Sequence, residues 1–407
     1  MLAFHTSLRE RPIEETLVFA KEYARKLGIT RVTDITRLDS LGIPVYSSIR
    51  PGALPGTLCV NSGKGFRPEE ALIGAYMEAI EFTMAEYNRA GLQTFWAPLQ
   101  YVLDGMYRPH AYLDLGPRVG APVNPMTPIE QVYMEDLSSR QTFAVPAELI
   151  FMPYSHPQGL TVYGYSSNGL ASGNTLLEAT IHALMECIER DALSFYFMLP
   201  KVQQVNPDSW PAHVKEVAKQ VKDKGMQLAI QYIPNDFGMP TFSAVLIDEQ
   251  MQDPLYINGG YGSHALREVA MNRAVSEAVQ SRLVYIHGGR DDLVENYQNN
   301  VKLTPSEKEK RYREMVHNAT QAPTQVNVED INQYEWPAQS ASEYLSYLLG
   351  LLREKGFPNP LRLVYTRPEE SLQVVRTLVP GLEHFNPTYQ RLGPRLKAYS
   401  TQVPKHG

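Results

Sequence analysis

Apolar residues recur at helical spacing in three long stretches of this chain, with strand-like runs between them. The pattern predicts an amphipathic helix over residues 13–27, closed by Gly28. It predicts longer helices over about 68–87, 175–198 and 263–287, and a shorter one over 341–355. Short β-like runs fall at 58–60, 143–145, 149–151, 161–163, 228–232, 241–247, 361–365 and 372–378. Helices and strands mix without strict alternation, which predicts an α+β (mixed α/β) fold. Residues 1–50 read as an N-terminal segment of helix and strand ahead of the main domain over 51–400. The polar stretch 302–340, with its charge run from Glu307 to Arg313, reads as a charged surface insertion.

The three long helices share one register. The first carries Ala71-x3-Ala75-x2-Glu78-x2-Glu81, the second Ala179-x3-Ala183-x2-Glu186-x2-Glu189, and the third Ala270-x3-Ala274-x2-Glu277-x2-Gln280. Glu70, Ile73, Met77 and Ile80 of the first also match Glu178, Ile181, Met185 and Ile188 of the second. Residues three or four apart share a helix face, so each helix presents an alanine stripe leading to a polar pair. Such small side chains predict a close helix–helix approach that gathers the pairs. Carboxylates at i, i+3 repel one another, and repeating them on several helices calls for a counter-charge. A hard divalent cation such as Mg2+ takes oxygen ligands and suits them, above all where phosphate completes its shell. Glutamates simply exposed on amphipathic helices are the plain alternative, and recurrence at one spacing weighs against it.

The segments before these helices fit an anion site. Ser167 to Thr175 reads as a flexible loop offering backbone N–H groups, with Asn174 or Thr175 alternatively a helix cap. Ser62-Gly63-Lys64-Gly65 and Gly259-Gly260-Tyr261-Gly262-Ser263-His264 give the other two helices similar entries, although the first lacks Walker A spacing. Arg190 and Arg273 are placed to neutralise phosphate oxygens or to pair with the glutamates.

Composition narrows the field. With 38 Lys+Arg against 44 Asp+Glu the net charge is −6, which excludes a general nucleic-acid binder. At 43% hydrophobic residues the chain has the apolar surface for a core. Cys59 and Cys187 cannot make a disulfide framework or a cysteine zinc site, and Cys187 reads as a small buried hydrophobe. No histidine pair has metal-ligand spacing, and His182 reads as a packed core residue. There is no G-x-S-x-G elbow, so no protein nucleophile is assigned and the catalytic residue is left unknown. No apolar run spans a bilayer and no secretory h-region opens the chain, so a cytoplasmic protein with no membrane partner is expected.

The run Ser167-Asn168-Gly169-Leu170-Ala171-Ser172-Gly173-Asn174-Thr175, then Glu178-Ala179 and Glu186-x2-Glu189-Arg190-Asp191-Ala192, resembles the signature of YcaO-domain proteins. Around it stand Gly42-Ile43-Pro44-Val45, Gly63-Lys64-Gly65, Glu78-x2-Glu81, Arg273-x3-Glu277-x2-Gln280-x-Arg282 and Val379-Pro380-Gly381-Leu382-Glu383, in the family's order. The resemblance implies three ATP/Mg-site helices on mixed or antiparallel sheet, with the catalytic domain over 51–400. It implies an ATP-dependent enzyme that phosphorylates the oxygen of a peptide backbone amide. A Cys, Ser or Thr side chain then closes an azoline, a sulfur donor gives a thioamide, or an amine gives an amidine, in the maturation of ribosomally synthesised peptides. By matching positions, Glu78, Glu81, Glu186 and Glu189 would hold Mg2+, and Lys64, Asn174, Glu178, Arg190, Arg273, Glu277 and Gln280 would form the ATP site. A precursor peptide or protein substrate, a partner protein that delivers substrate or sulfur, and a homodimer belong to the same expectation.

The sequence departs from the family at Gly74, where Ser is common, and at Phe82, where Arg is common. Its end, Tyr399 to Gly407, lacks the proline-repeat tail of azoline-forming members and turns the expectation towards thioamidation. A nucleotide-binding scaffold without turnover and a ligase acting on a free carboxylate are the competing readings.

Overall fold

In the computed structural model a ribbon of β1 (Leu2–Ala3) and β2 (Leu8–Arg9), then helix α1 (Ile13–Lys26), precede three copies of one unit: a sheet whose edge strand turns into a long helix. The structure describes residues 2–3, 5–87, 89–106, 109–155, 160–334, 340–388 and 390–402. Residues 403–407, part of the C-terminal tail, lie outside them. The first unit is the antiparallel sheet β3 (Arg31–Asp34), β4 (Val45–Ile49), β5 (Val60–Lys64), leading into α2 (Pro68–Met84). The second starts with β6 (Phe95–Pro98), β7 (Pro128–Asp136) and β8 (Thr142–Pro146) and ends with β9 (Leu170–Gly173) and α3 (Leu176–Met198). The third has β10 (Gln203–Val205), α4 (Ala212–Asp223), β11 (Met226–Tyr232), β12 (Thr241–Asp248) and β13 (Ile257–Ser263), ending in α5 (Arg267–His287).

The remaining chain completes these sheets. Helices α6 (Val294–Val301) and α7 (Pro305–Thr320) are followed by β14 (Gln325–Val326), which joins β10 as the one parallel pair among the described strands. After α8 (Ala341–Glu354), β15 (Leu361–Val364) and β16 (Gln373–Leu378) fill the second sheet, in the order β6-β7-β15-β16-β9, and α9 (Pro394–Gln402) comes last. The α+β expectation holds.

Glycine and alanine set how each helix meets its strand. A Cβ on Gly63 of β5 would land on the Ala71 carbonyl and the Ala75 amide of α2. One on Gly173 would sit 2.5 Å from the Ala179 amide nitrogen, and one on Gly262 would sit 2.6 Å from that of Ala274. The alanine stripe therefore faces the helix's own strand, which corrects the expectation of helix on helix. Each helix also leans on the edge strand of the next unit: α2 on β9, α3 on β13 and α5 on β5. The three units close on one another cyclically, and this closure brings the polar pairs together.

Other expectations change for related reasons. The segments that read as flexible anion loops, 62–64, 170–173 and 259–263, are strands, and their glycines serve close approach. Residues 161–163, expected as a strand, form a loop, because the buried Glu148 carboxylate takes the amides of Val162, Tyr163 and Gly164 at 2.7–3.1 Å. Ala147–Leu149 is a turn of 3-10 helix, where the pattern predicts strand over 149–151. In the stretch 302–340, Tyr312, Met315, Val316 and Ala319 of α7 pack over Ala229, Ile247 and Ile257, so this helix roofs the third sheet while its charges face solvent. Residues 335–339 lie outside the described part. Because β3 and β4 pair with β5, residues 31–34 and 45–49 of the N-terminal segment share a sheet with the main domain.

Candidate active site

The second polar residue of each pair reaches across to the next unit. Ser172 of β9 donates its amide, at 2.8 Å, and its hydroxyl to Glu81. The Ser263 amide of β13 donates to Glu189 at 2.9 Å. Gln280 donates to the Ser62 carbonyl of β5 at 2.6 Å and to its hydroxyl at 2.9 Å. Here the partner is a carbonyl and not an amide, so an amide side chain stands where the other helices have carboxylates. The first residue of two pairs stays with its own strand: Ser62 N donates to Glu78 at 3.3 Å, and Tyr261 N to Glu277 at 3.4 Å.

These groups line a cavity of about 1060 Å3. Glu78, Glu81, Glu186, Glu189, Glu277, Gln280, Lys64, Arg190 and Arg273 all face it, so most of the residues predicted from sequence are brought together. Lys64 pairs with Glu277, and Arg190 lies 3.6 Å from Glu186 and 3.7 Å from Glu189. Asn174 and Glu178 are not in the cavity wall. They lie behind it, buried, where Glu178 accepts from Arg9 at 2.7 Å, from the Glu10 amide at 3.0 Å and from Asn174. Their visible work is to hold Arg9, which does line the cavity. Glu70 at the matching position of α2 holds the same N-terminal segment, accepting from the His5 amide at 3.1 Å and from the Thr6 hydroxyl at 3.4 Å. Thr175 caps α3 by accepting from the Glu178 amide.

Burial sets the charge balance. It raises Glu78, and it lifts Glu81 to about 8, with the Glu78 and Glu186 charges adding. Burial likewise brings Glu186 to about 7, with Glu189 adding and Arg190 opposing. For Glu277 burial is outweighed by Lys64 and Arg190, and this carboxyl stays below its ordinary value. Glu277 already has its cation, whereas Glu78, Glu81 and Glu186 crowd charge without enough compensation. Arg273 Nε is buried without a hydrogen-bond partner among the described residues. An all-oxygen donor set short of positive charge, beside an unsatisfied guanidinium N–H, fits a phosphate-bound Mg2+.

This balance has a consequence for stability. Glu81 and Glu186 move upward from 4.5, so the folded chain holds protons that the unfolded chain has lost. Their contribution is complete below pH 4.5 and drains away as pH climbs to about 8. Burial depresses His182, His213, His264 and His384, and above about pH 7.5 all four are almost wholly neutral both folded and unfolded. The metal-free melting temperature is therefore expected to fall between about pH 7.5 and 8.5, and the Glu81→Gln variant to flatten that slope. Equal slopes in thermal melts of the two proteins would refute the assignment.

Several residues of the wall escaped sequence reasoning. Arg9 and Arg290 carry no motif. Glu70 had a signal, its match to Glu178. Behind the wall, Arg376 of β16 is fully buried and donates to the Ser166 and Asn168 carbonyls at 2.8 Å and to Ile150 O at 3.3 Å. Arg376 and Glu148 together fix the loop 161–168 along the cavity. Of the two family departures, Gly74 lies against β5, where a Cβ would meet Gly63 Cα at 3.2 Å. Phe82 lines the cavity under the Arg50 guanidinium, 5.8 Å from its ring. Cys187 is buried, its thiol pushed up to about 12 by burial, and His182 is half-buried beside the Leu8 carbonyl. Among the described residues no helix is long and apolar enough to cross a membrane.

Known proteins resemble this chain in sequence and in fold. The family described as YcaO cyclodehydratase, ATP- and Mg2+-binding, matches residues 62–383. An uncharacterized protein of Methanothermobacter thermautotrophicus is 32% identical over 95% of this chain and 98% of its own length. One from Rhizobium leguminosarum bv. trifolii, described by its place in the tfuA 3′ region, is 31% identical over 94% of this chain and 90% of its own. The structure of YcaO from Methanopyrus kandleri bound with AMPPCP and Mg2+ superposes with a TM-score of 0.75 at 20% identity, covering 96% of this chain and 97% of that one. A heterocyclase in complex with substrate and cofactor gives 0.72 at 20% identity, over 95% of this chain and 54% of that one. The Escherichia coli microcin synthetase McbBCD complex with pro-MccB17 bound gives 0.61 at 14%, over 86% of this chain and 87% of that one. With a family match over most of its length and relatives of almost its full span, this chain belongs to the YcaO family, whose members bind ATP and Mg2+.

Proposed function

We propose that this chain activates a backbone amide of a ribosomally made peptide with ATP and Mg2+, for conversion to a thioamide or an azoline. One observation carries the reading: carboxylates from two helices, Glu78 and Glu81 with Glu186 and Glu189, face one cavity with too little positive charge of the chain's own. Among the described residues no three such groups converge into a closed cage, so phosphate oxygens and water would complete the shell of an ion held there. Mg2+ bound to these carboxylates would neutralise the phosphates during transfer. The chain's own part is to orient. Glu81 and Glu189 are fixed by amides of the next unit, Arg190 bridges Glu186 and Glu189, and Arg273 offers its free N–H to an anionic oxygen.

The chemistry balances without a protein nucleophile. The amide oxygen takes the terminal phosphoryl group as ADP departs. The nucleophile then bonds to the amide carbon and loses its proton, the original oxygen leaves within inorganic phosphate, and where an azoline forms the amide nitrogen also gives up its proton to leave the C=N bond. The substrate-bound and partner-bound structures among the neighbours support a peptide substrate and a delivering partner.

The test is intact-mass spectrometry of peptides encoded beside this protein and co-expressed with it and its neighbours. A gain of about 16 Da marks oxygen-to-sulfur exchange, and a loss of about 18 Da marks ring closure or an amidine, separated by fragmentation. Unchanged mass with ATP binding intact would favour a scaffold without turnover.

A further inference from the structure

The cavity has two ends. At one, the N-terminal segment crosses the starts of all three helices, bonding to Glu70 of α2, Glu178 of α3 and Asn272 and Arg273 of α5. At the other, three loops meet. The Tyr165 hydroxyl donates to Gly56 O at 3.0 Å, and Cys59 Sγ lies 3.8 Å from Asp291 Oδ2, on the segment that leaves α5 through the left-handed Gly288. The metal-site carboxylates lie between the two ends, further along the helices than the residues that hold the strap.

Arg290 stands in this second group and lines the cavity. Asp292 grips its edge in a fork, Oδ1 to Nε at 3.0 Å and Oδ2 to Nη2 at 2.6 Å. The side chain is only 25% exposed, and among the described residues no hydrogen bond engages Nη1. The other cavity cations differ. Lys64 is committed to Glu277, Arg9 to Glu178, Arg190 bridges two carboxylates that would hold metal, Arg273 reaches towards the N-terminal strap, and Arg118 is exposed beside the Thr161 hydroxyl. At Glu78, where burial raises the carboxyl, the Arg290 charge is the foremost opposing influence, which places the guanidinium near the carboxylate cluster.

We propose that Arg290, held in orientation by Asp292, contacts the terminal phosphoryl group of the nucleotide and stays with it as it passes to the amide oxygen. In that step the bond from amide oxygen to phosphorus forms as the bond from phosphorus to the β–γ bridging oxygen breaks. ADP takes that electron pair, and Arg290 neutralises the equatorial oxygens without exchanging a proton. A planar guanidinium with one edge pinned presents its remaining N–H groups in fixed directions, which suits phosphoryl recognition better than a mobile ammonium.

This assignment rests on the nucleotide reading of the site, and calorimetric binding of two probes separates the two. AMPPCP with Mg2+ carries a terminal phosphoryl mimic, whereas ADP with Mg2+ does not. Arg290→Gln is expected to weaken AMPPCP at least about tenfold while changing ADP less than about twofold. Asp292→Asn, which leaves the cation but loosens its orientation, is expected to weaken AMPPCP about threefold and spare ADP. Equal effects of Arg290→Gln on both probes, or none on either, would overturn the assignment while leaving the nucleotide site intact. A wild-type chain that binds neither probe would overturn the nucleotide reading, and this assignment with it. Should Arg290→Gln fail to fold, the Asp292→Asn comparison decides alone.

Discussion

Glu186→Gln is expected to reduce ATP-dependent amide modification at least about a hundredfold while leaving the protein no less stable, because even outer partners of a metal ligand are worth about 10–100-fold. The two halves of this expectation come from one cause. Glu186 is enclosed with Glu189 and close enough to Glu81 for their charges to act on one another, and burial has moved it to about 7. In the absence of metal, the neutral isostere removes a charge that the fold disfavours, so at about pH 8 the variant should melt no lower than the wild type. With Mg2+ and nucleotide present the order reverses, since only the wild type gains from binding. Paired activity and melting measurements therefore discriminate. A variant that melts higher and keeps full activity would mean that the carboxylates are only an unfavourable surface feature. A variant that loses stability without metal would mean that Glu186 is a structural partner.

Gly63→Ala is expected to cost about 3 kcal/mol or more, and to abolish nucleotide binding where it does not abolish folding. The added methyl would strike the α2 backbone at Ala71 and Ala75, which no side-chain rotation relieves. Since α2 carries Glu78 and Glu81, any shift that makes room also moves half of the metal site. Gly350→Ala is the control. Gly350 lies within α8 with nothing within 4 Å of its would-be Cβ, so alanine should stabilise by about 0.5–1 kcal/mol. Denaturant unfolding of both variants settles the matter, and a loss below about 1 kcal/mol at Gly63 would show that the close helix–strand approach is dispensable.

Much of the site is legible without the fold. The recurrence of Ala-x3-Ala-x2-Glu-x2-Glu/Gln at one spacing carries its own meaning, because a helix face is a local property fixed by 3.6 residues per turn. The same recurrence contains Glu70, matched to Glu178, and both hold the N-terminal segment. The three long helices, α1 and α8 are legible for the same reason, to within a few residues at their ends, whereas α4, α6, α7 and α9 are not read from the pattern.

The partners of those residues are not legible. The glycine-containing entries read as flexible phosphate loops because glycine has two uses, a permissive backbone and a missing side chain, and composition does not say which applies. Gly63, Gly173 and Gly262 are of the second kind, and only the helix lying on each strand shows it. Glu148 and Arg376 are equally hidden. Each holds backbone of the loop 161–168, and a side chain that bonds distant main-chain groups leaves no periodic trace.

By itself, then, the amino-acid sequence determined which faces exist: three helices with alanine on one stripe and acids at its end, a mixed α+β chain, and the family to which those motifs belong. The tertiary structure alone decided that the alanine stripes meet strands and that Glu81, Glu189 and Gln280 reach into neighbouring units. It also placed Asn174 and Glu178 behind Arg9, and Arg290 at the cavity rim. The division comes from range. Periodicity is written into adjacent residues by helix geometry, whereas the cyclic closure joins segments such as Ser62 and Gln280, 218 positions apart, whose meeting depends on the packing of the whole chain.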